Sequence, residues 1–125
     1  MLQLKFSIEG DLSTEALLER FGLQDHGPVQ MAIDEAVIRY SLPYWAWDTG
    51  ALANSAYSAT DIGSGEVVYD MPYASEMYYG IRENGEPVNY KTDHNPLAGA
   101  YPFERMKADH MQDIVEEARA VARNQ

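Results

Sequence analysis

Two histidine–aspartate pairs are the residues in this sequence best suited to catalysis. His94 follows Asp93 and His110 follows Asp109, so each pair places an imidazole beside a carboxylate, as in general acid–base chemistry. Neighbouring residues on a helix point in different directions, and no serine or cysteine nucleophile motif accompanies either pair. We therefore predict no catalytic residues and no enzymatic activity.

Metal and phosphate chemistry have weaker support still. His110, Asp113 and Glu117 could share one helix face, but this spacing is neither the paired-histidine zinc motif nor a calcium loop. The segment 63–65, Gly-Ser-Gly, lacks the further glycine and the lysine of a phosphate-binding loop. We predict no metal site and no cofactor, a packing role for His110, and a turn at 63–65.

Composition limits the class of protein. A chain of 125 residues is expected to form a single domain, 1–125, and the absence of cysteine excludes disulfides and thiolate sites. Nine basic and twenty acidic residues give a net charge of −11, which opposes tight binding to nucleic acid. No signal-peptide pattern and no apolar run of about 20 residues is present. These features predict a soluble protein of the cytoplasm with no membrane contact.

The elements that must position these residues are predicted from periodicity. Residues 2–8 alternate apolar and polar, which is typical of a strand. A short helix is expected over 13–22, and an amphipathic helix begins at Pro28 and is ended by Pro43. Ala51, Leu52 and Ser55 could form one or two helical turns.

The second half of the chain predicts short elements and one long helix. The segments 57–62 and 66–69 are expected to form a hairpin across the glycines of 63–65. A short helix is predicted from Pro72 to Tyr79, and residues 80–100 are expected to protrude as a polar loop or hairpin. The longest helix begins at Pro102. The predicted fold class is α+β, with a small antiparallel sheet and hairpin packed against two longer helices and short helices.

Aromatic residues are concentrated between residues 44 and 79. Tyrosine and tryptophan lose few rotamers on ordering and are enriched at interface hot spots, although each tryptophan taken alone is better explained by core packing. So many large rings are not expected to fit in one small core. The predicted interface candidates are Tyr44, Trp45, Trp47, Asp48, Thr49, Gly50, Leu52, Tyr57, Tyr73, Tyr78 and Tyr79.

Several short blocks, taken in order, resemble the minor capsid or neck proteins of long-tailed bacteriophages. The blocks are 43–55, 62–69, 72–74, Tyr79-Gly80, 95–101 and 103–110. The resemblance spans residues 42 to 110. Ala46 departs from it, because a proline is expected between the two tryptophans.

The resemblance implies a non-enzymatic structural protein at the head–tail junction of the virion, a connector or tail-completion component. It implies a ring homo-oligomer, with a hexamer as one closed form, that contacts neighbouring neck and tail proteins and is made in the host cytoplasm. DNA would pass through an acidic lumen without tight binding. We further expect Gly50→Val to impair assembly more than monomer folding, because Gly50 would allow close backbone approach.

Two alternatives come from other classes. An acidic protein of this size could mimic DNA and inhibit a host DNA-binding protein, although the acidic residues are placed at helix ends and turns rather than in one row. Exposed aromatics would also suit a carbohydrate-binding or tail-fibre module.

Overall fold

The computed structural model describes residues 4–6, 26–46 and 50–124. Their elements are strand β1 (Leu4–Phe6), helix α1 (Pro28–Ser41), a 3-10 turn (Leu42–Tyr44), helix α2 (Ala51–Ala59), strand β2 (Val67–Tyr69), helix α3 (Ala74–Tyr79) and helix α4 (Pro102–Arg123). The α+β class is confirmed. The helix predicted over 13–22 lies outside the described residues.

Helices α1 and α4 form the body of the fold and run antiparallel. Arg39 of α1 donates a hydrogen bond to Glu117 of α4. Tyr44, in the 3-10 turn that follows α1, donates one to Asp109, which lies nearer the start of α4. Their facing sides bury apolar residues that recur at helical spacing, among them Ile33, Ile38, Met106 and Ile114. The helix starts predicted at Pro28 and Pro102 are both confirmed.

The predicted hairpin between 57–62 and 66–69 is wrong. Residues 57–59 continue α2, and β2 pairs antiparallel with β1, with Leu4 opposite Tyr69 and Phe6 opposite Val67. Ala53 and Ala56 are fully buried, so the small side chains of this segment are used for close helix packing. The glycines of 63–65 consequently connect a helix to a strand.

Thr60 occupies the side of β2 that a hairpin partner would have used. Its hydroxyl accepts a hydrogen bond from the amide of Val68 at 2.9 Å and donates to the carbonyl of the same residue at 3.4 Å. Because these two groups would otherwise face a neighbouring strand, one side chain covers this edge of the sheet.

We expect Thr60→Val to lower the free energy of unfolding by about 1–2 kcal/mol, because valine keeps the shape of threonine but leaves the Val68 amide without its partner. Thr60→Ser, which retains the hydroxyl, is the matched control and should lose less. Urea denaturation measures both. Equal midpoints for Thr60→Val and wild type would contradict the assigned role of the hydroxyl.

Helix α3 ends as the sequence predicts. Gly80 has the left-handed φ of 78°, and its amide binds the carbonyl of Glu76 at 2.8 Å. The helix begins two residues later than the predicted start at Pro72, since Pro72 and Tyr73 form a turn before it.

Candidate functional site

The predicted interface residues separate into buried and exposed groups. Tyr44, Trp45, Gly50, Leu52 and Tyr78 are buried within the monomer. Tyr57, Tyr73 and Tyr79 are 45%, 41% and 52% exposed. Trp47, Asp48 and Thr49 lie outside the described residues. Of the described candidates, Tyr57, Tyr73 and Tyr79 are therefore the ones that expose a large ring to a partner, and their role in assembly stays a prediction.

Gly50 has a structural role that the sequence did not reveal. It precedes α2, is buried, and has a φ of 83°, a conformation that β-branched residues rarely adopt. A valine at this position would therefore strain the monomer itself. We therefore expect Gly50→Val to destabilise the folded monomer, and no longer expect its effect on assembly to be the larger one.

The buried aromatics form one continuous cluster. Trp45 lies 4.5 Å from Tyr69 and 5.9 Å from Tyr78 between ring centroids. Phe6 packs against Tyr78 at 4.9 Å and stacks on Phe103 at 4.7 Å. Burial raises the pKa of Tyr78 to about 12. This cluster joins the sheet to α3 and α4.

The cluster reaches the surface at Tyr79 and Tyr101. Both rings pack edge-on against Tyr78, at 5.0 Å and 5.7 Å, and their centroids are 6.1 Å apart. Ile81, which is 58% exposed, is two residues beyond Tyr79. We call Tyr79, Ile81 and Tyr101 the Tyr79–Tyr101 surface. Sequence reasoning did not select Ile81 or Tyr101 as interface candidates.

Hydrogen bonds hold the segment around this surface against the body. The Tyr90 hydroxyl donates to the carbonyl of Met77 at 2.6 Å, and the Tyr101 amide donates to the carbonyl of Tyr78 at 2.8 Å. Tyr101 has a left-handed φ of 56°, which turns the chain into α4. The loop of 80–100 thus contains little regular structure and yet is attached at several points.

Asn95 and Arg105 attach the end of the same loop. The Asn95 amide donates to the carbonyl of Trp45 at 3.0 Å, and Arg105 donates to the carbonyls of Leu97 and Ala100, both at 2.7 Å. These long polar side chains satisfy backbone carbonyls that regular structure would otherwise pair. The tip of the loop is a tight turn closed by a bridge between Ile81 and Pro87.

Two further large apolar side chains are exposed, Met31 on α1 and Tyr57 on α2. Met31 is 44% exposed, and Glu35 follows one helical turn later. Partial burial, and then the nearby Glu35 carboxylate, raise the pKa of Tyr57.

The Gly-Ser-Gly segment is held by a buried carboxylate. Asp34 accepts hydrogen bonds on Oδ2 from the amides of Gly63 and Gly65, at 2.7 Å and 3.0 Å, and on Oδ1 from Gln30 at 3.0 Å. The amides that a phosphate would need are therefore bonded to the protein's own carboxylate. The predicted turn is confirmed, and Asp34 is its anchor.

The two histidine–aspartate pairs do not come together as catalytic pairs. Asp109 accepts a hydrogen bond from the Tyr44 hydroxyl at 2.6 Å, whereas His110 contacts Asp113 at 2.8 Å and stacks on Tyr40. Asp93 and His94 are both exposed. Within the described residues, no cluster of three histidine or acidic side chains is arranged to hold a metal ion.

Arg39 connects the two long helices through a polar network. It binds Glu35 on its own helix at 3.1 Å and Glu117 on α4. Burial alone would raise the pKa of Glu117, but hydrogen bonds from Tyr40 and Arg39 lower it below the usual 4.5. The carboxylate is therefore favoured in its charged form.

This lowered pKa predicts a pH dependence of stability. The folded state binds the Glu117 proton less readily than the unfolded state, so its contribution is complete above about pH 4.5 and is lost as the pH falls through the folded pKa. Between about pH 6 and pH 3, the free energy of unfolding of wild type should fall slightly more than that of Glu117→Gln. The difference should be less than about 1 kcal/mol, since the Glu117 side chain is 38% exposed. Glu116→Gln, which alters an exposed neighbour, is the control. Identical pH profiles for Glu117→Gln and wild type would contradict the network.

The described residues form an aromatic cluster that reaches the surface at Tyr79 and Tyr101. Residues 25–122 match a family model described as minor capsid protein. Because the match covers most of the chain, the chain belongs to the minor capsid protein family, whose role is structural and whose place is the phage virion. No match was found among curated proteins or among solved structures. None of the described helices has the length and apolar character of a membrane span.

Proposed function

We propose that this minor capsid protein acts at the head–tail junction of the virion, where copies of the chain assemble into a ring that contacts neighbouring neck and tail proteins. The observation that carries the proposal is the Tyr79–Tyr101 surface. Exposed tyrosines held by a buried aromatic cluster are pre-organised for binding, because little side-chain freedom is lost when a partner covers them. Membership of the minor capsid protein family supports a location in the virion.

The acidic face of α4 supports a lumen through which DNA passes without tight binding. Asp109, Asp113 and Glu116 follow one another at spacings of four and three residues, and all are exposed. Like charges repel the phosphates of DNA, so such a surface would let the duplex slide. In the proposed ring, this acidic face of α4 is oriented toward the lumen.

The same three carboxylates favour the alternative, a DNA-mimic inhibitor, more than the sequence did. They form a short row on one helix, although acidic residues were expected only at helix ends and turns. The row is brief: Arg119 pairs with Glu116 at 3.5 Å, and Arg123 follows one turn later. We therefore favour the structural role.

Microscopy distinguishes the two functions. Negative-stain images of the purified chain should contain rings or stacks, and antibody labelling of intact particles should place the chain between head and tail. Label distributed over the head surface, or confined to the tail tip, would contradict the junction. A chain found only as a monomer that binds a basic nuclease at a 1:1 ratio would favour the inhibitor.

A further inference from the structure

We propose that Asn84 is a site of spontaneous covalent modification in the folded protein. Its side-chain amide is lost as ammonia, and aspartate or isoaspartate forms through a cyclic imide that includes the nitrogen of Gly85. Asn84 lies at the tip of the 80–100 loop and takes no part in the proposed function. The reaction needs no second copy of the chain and no other protein, so it is independent of the proposed ring.

The tip of the loop is a tight, exposed turn from Arg82 to Glu86. The Arg82 amide donates to the carbonyl of Glu86 at 2.8 Å, and the Gly85 amide donates to the carbonyl of Arg82 at 2.9 Å. Gly85 has a left-handed φ of 86°. Every residue of 81–87 is exposed, so water reaches both Asn84 and the peptide bond that follows it.

The Asn84 side chain is folded forward along this turn. Its Oδ1 accepts a hydrogen bond from the amide of Glu86 at 3.0 Å. The ring of atoms that this bond closes contains the Gly85 nitrogen, so the side-chain carbonyl and its attacking nitrogen belong to one compact turn. Negative charge develops on Oδ1 when a nucleophile adds to the carbonyl, and the Glu86 amide is already directed at that oxygen.

Glycine after Asn84 leaves the attacking nitrogen open. Among the described residues beyond its chain neighbours, no atom lies within 4 Å of the place where a Cβ of Gly85 would be. Asn54, Asn89 and Asn124 are each followed by a residue with a side chain, which crowds the closing ring. Asn95 precedes a proline, whose nitrogen carries no proton to lose.

One bond of the turn opposes the reaction. The Gly85 nitrogen must lose its proton before it attacks, and in the turn that proton is donated to the Arg82 carbonyl. The reaction therefore proceeds from molecules in which this bond has opened. Opening costs little at an exposed loop tip, where water replaces the lost partner.

The reaction balances with water as its only co-reactant. The Gly85 nitrogen gives its proton to water or hydroxide and attacks the side-chain carbonyl carbon of Asn84. The new carbon–nitrogen bond closes the imide, and the Asn84 side-chain nitrogen takes a proton from solvent and leaves as ammonia. Water then opens the imide. Cleavage of the new bond gives aspartate, whereas cleavage of the former peptide bond gives isoaspartate, and nothing is oxidised or reduced.

Both products change the surface beside Ile81. The segment 80–91 contains two cations and two carboxylates, so one further carboxylate changes its formal charge from 0 to −1. Isoaspartate also lengthens the main chain by one carbon. This lengthening disturbs the bridge between Ile81 and Pro87 that closes the turn. Because Ile81 belongs to the Tyr79–Tyr101 surface, the modification alters the edge of that surface.

Mass spectrometry tests the proposal on the intact chain. The purified protein is kept at neutral pH and physiological temperature for several weeks, and samples are digested with trypsin. Fragmentation of the peptide 83–91, which contains both Asn84 and Asn89, assigns any change to one of the two. Asn84 should convert to two products, one of which an isoaspartyl methyltransferase labels. Asn89, exposed in the same loop, is the internal control and should remain an amide.

Two variants test the mechanism. Gly85→Ala places a methyl group beside the attacking nitrogen and should lose most of the conversion. Asn84→Gln removes the side chain of the required length and should lose all of it. Circular dichroism establishes that both variants are folded. The wild-type rate should also rise with pH, because the attacking nitrogen must first lose its proton.

Four results would overturn the proposal: an Asn84 that stays an amide in the folded chain, equal conversion at Asn89, a Gly85→Ala variant that converts as fast as wild type, or aspartate as the only product. The last result would indicate direct hydrolysis without an imide. None of these results bears on the proposed function, which particle labelling tests separately.

Discussion

Replacing Asp34 with alanine should lower the free energy of unfolding by about 3 kcal/mol, because three donors lose a charged acceptor inside the protein. Asp34 is only 2% exposed, and the amides of Gly63 and Gly65 both donate to one of its oxygens. Water cannot easily replace a carboxylate there. Hydrogen exchange should speed up first at these two glycine amides, and urea denaturation should give the total loss.

Asp34→Asn is the matched control, and geometry predicts a smaller effect. The remaining amide oxygen can accept from both glycine amides, and the new amide group can donate to Gln30 once the Gln30 side chain turns its oxygen inward. We expect a loss of about 1 kcal/mol. An alanine variant as stable as wild type would show that the loop keeps its shape without the carboxylate.

The long helices could be predicted from sequence because their signals are local. Pro28 and Pro102 mark first turns, and apolar residues recur at three and four residues along both helices. Gly80 ends α3 for an equally local reason, since glycine readily adopts the left-handed conformation at a helix end. Each of these features requires only a few adjacent residues.

A small antiparallel sheet was predicted, but its strand pairing could not be, because that pairing is not local. Strand β2 pairs with β1, more than sixty residues earlier in the chain, although the segment 57–62 was closer. The glycines at 63 and 65 permit a tight turn but do not determine which elements the turn connects. The deciding interactions are the helical packing of Ala53 and Ala56 and the hydroxyl of Thr60, and neither produces a pattern in the sequence.

The same limit applies to the candidate interface. Composition correctly indicated that some large aromatics would remain exposed, but Tyr78 and Tyr79 are adjacent in sequence and have opposite environments. Ring identity alone does not distinguish them. Tyr101 and Ile81 complete the exposed surface because the loop of 80–100 folds back onto α3, through bonds such as Tyr90 to Met77. A sequence signal for Tyr101 does exist, since it directly precedes the proline that begins the last helix.

Trp45→Ala should lower the free energy of unfolding by about 3–5 kcal/mol, which is a large share of the 5–15 kcal/mol typical of a domain. Trp45 is 1% exposed and lies at the centre of the aromatic cluster, between Tyr69 and Tyr78. Its removal would leave a cavity that the backbone of the 3-10 turn and the sheet cannot easily fill. Thermal and urea denaturation measure the loss.

Trp45→Phe separates packing from assembly. Phenylalanine keeps a ring against Tyr69 and should cost less than alanine, with the order wild type, phenylalanine, alanine in stability. If Trp45 were instead an interface residue, both variants would melt like wild type and fail to assemble. Tyr78 packs against Trp45 and also against Tyr79 and Tyr101. Trp45→Ala should therefore also loosen the Tyr79–Tyr101 surface. Assembly should therefore weaken in Trp45→Ala in step with stability, whereas Tyr79→Asp should lose assembly with its stability largely intact.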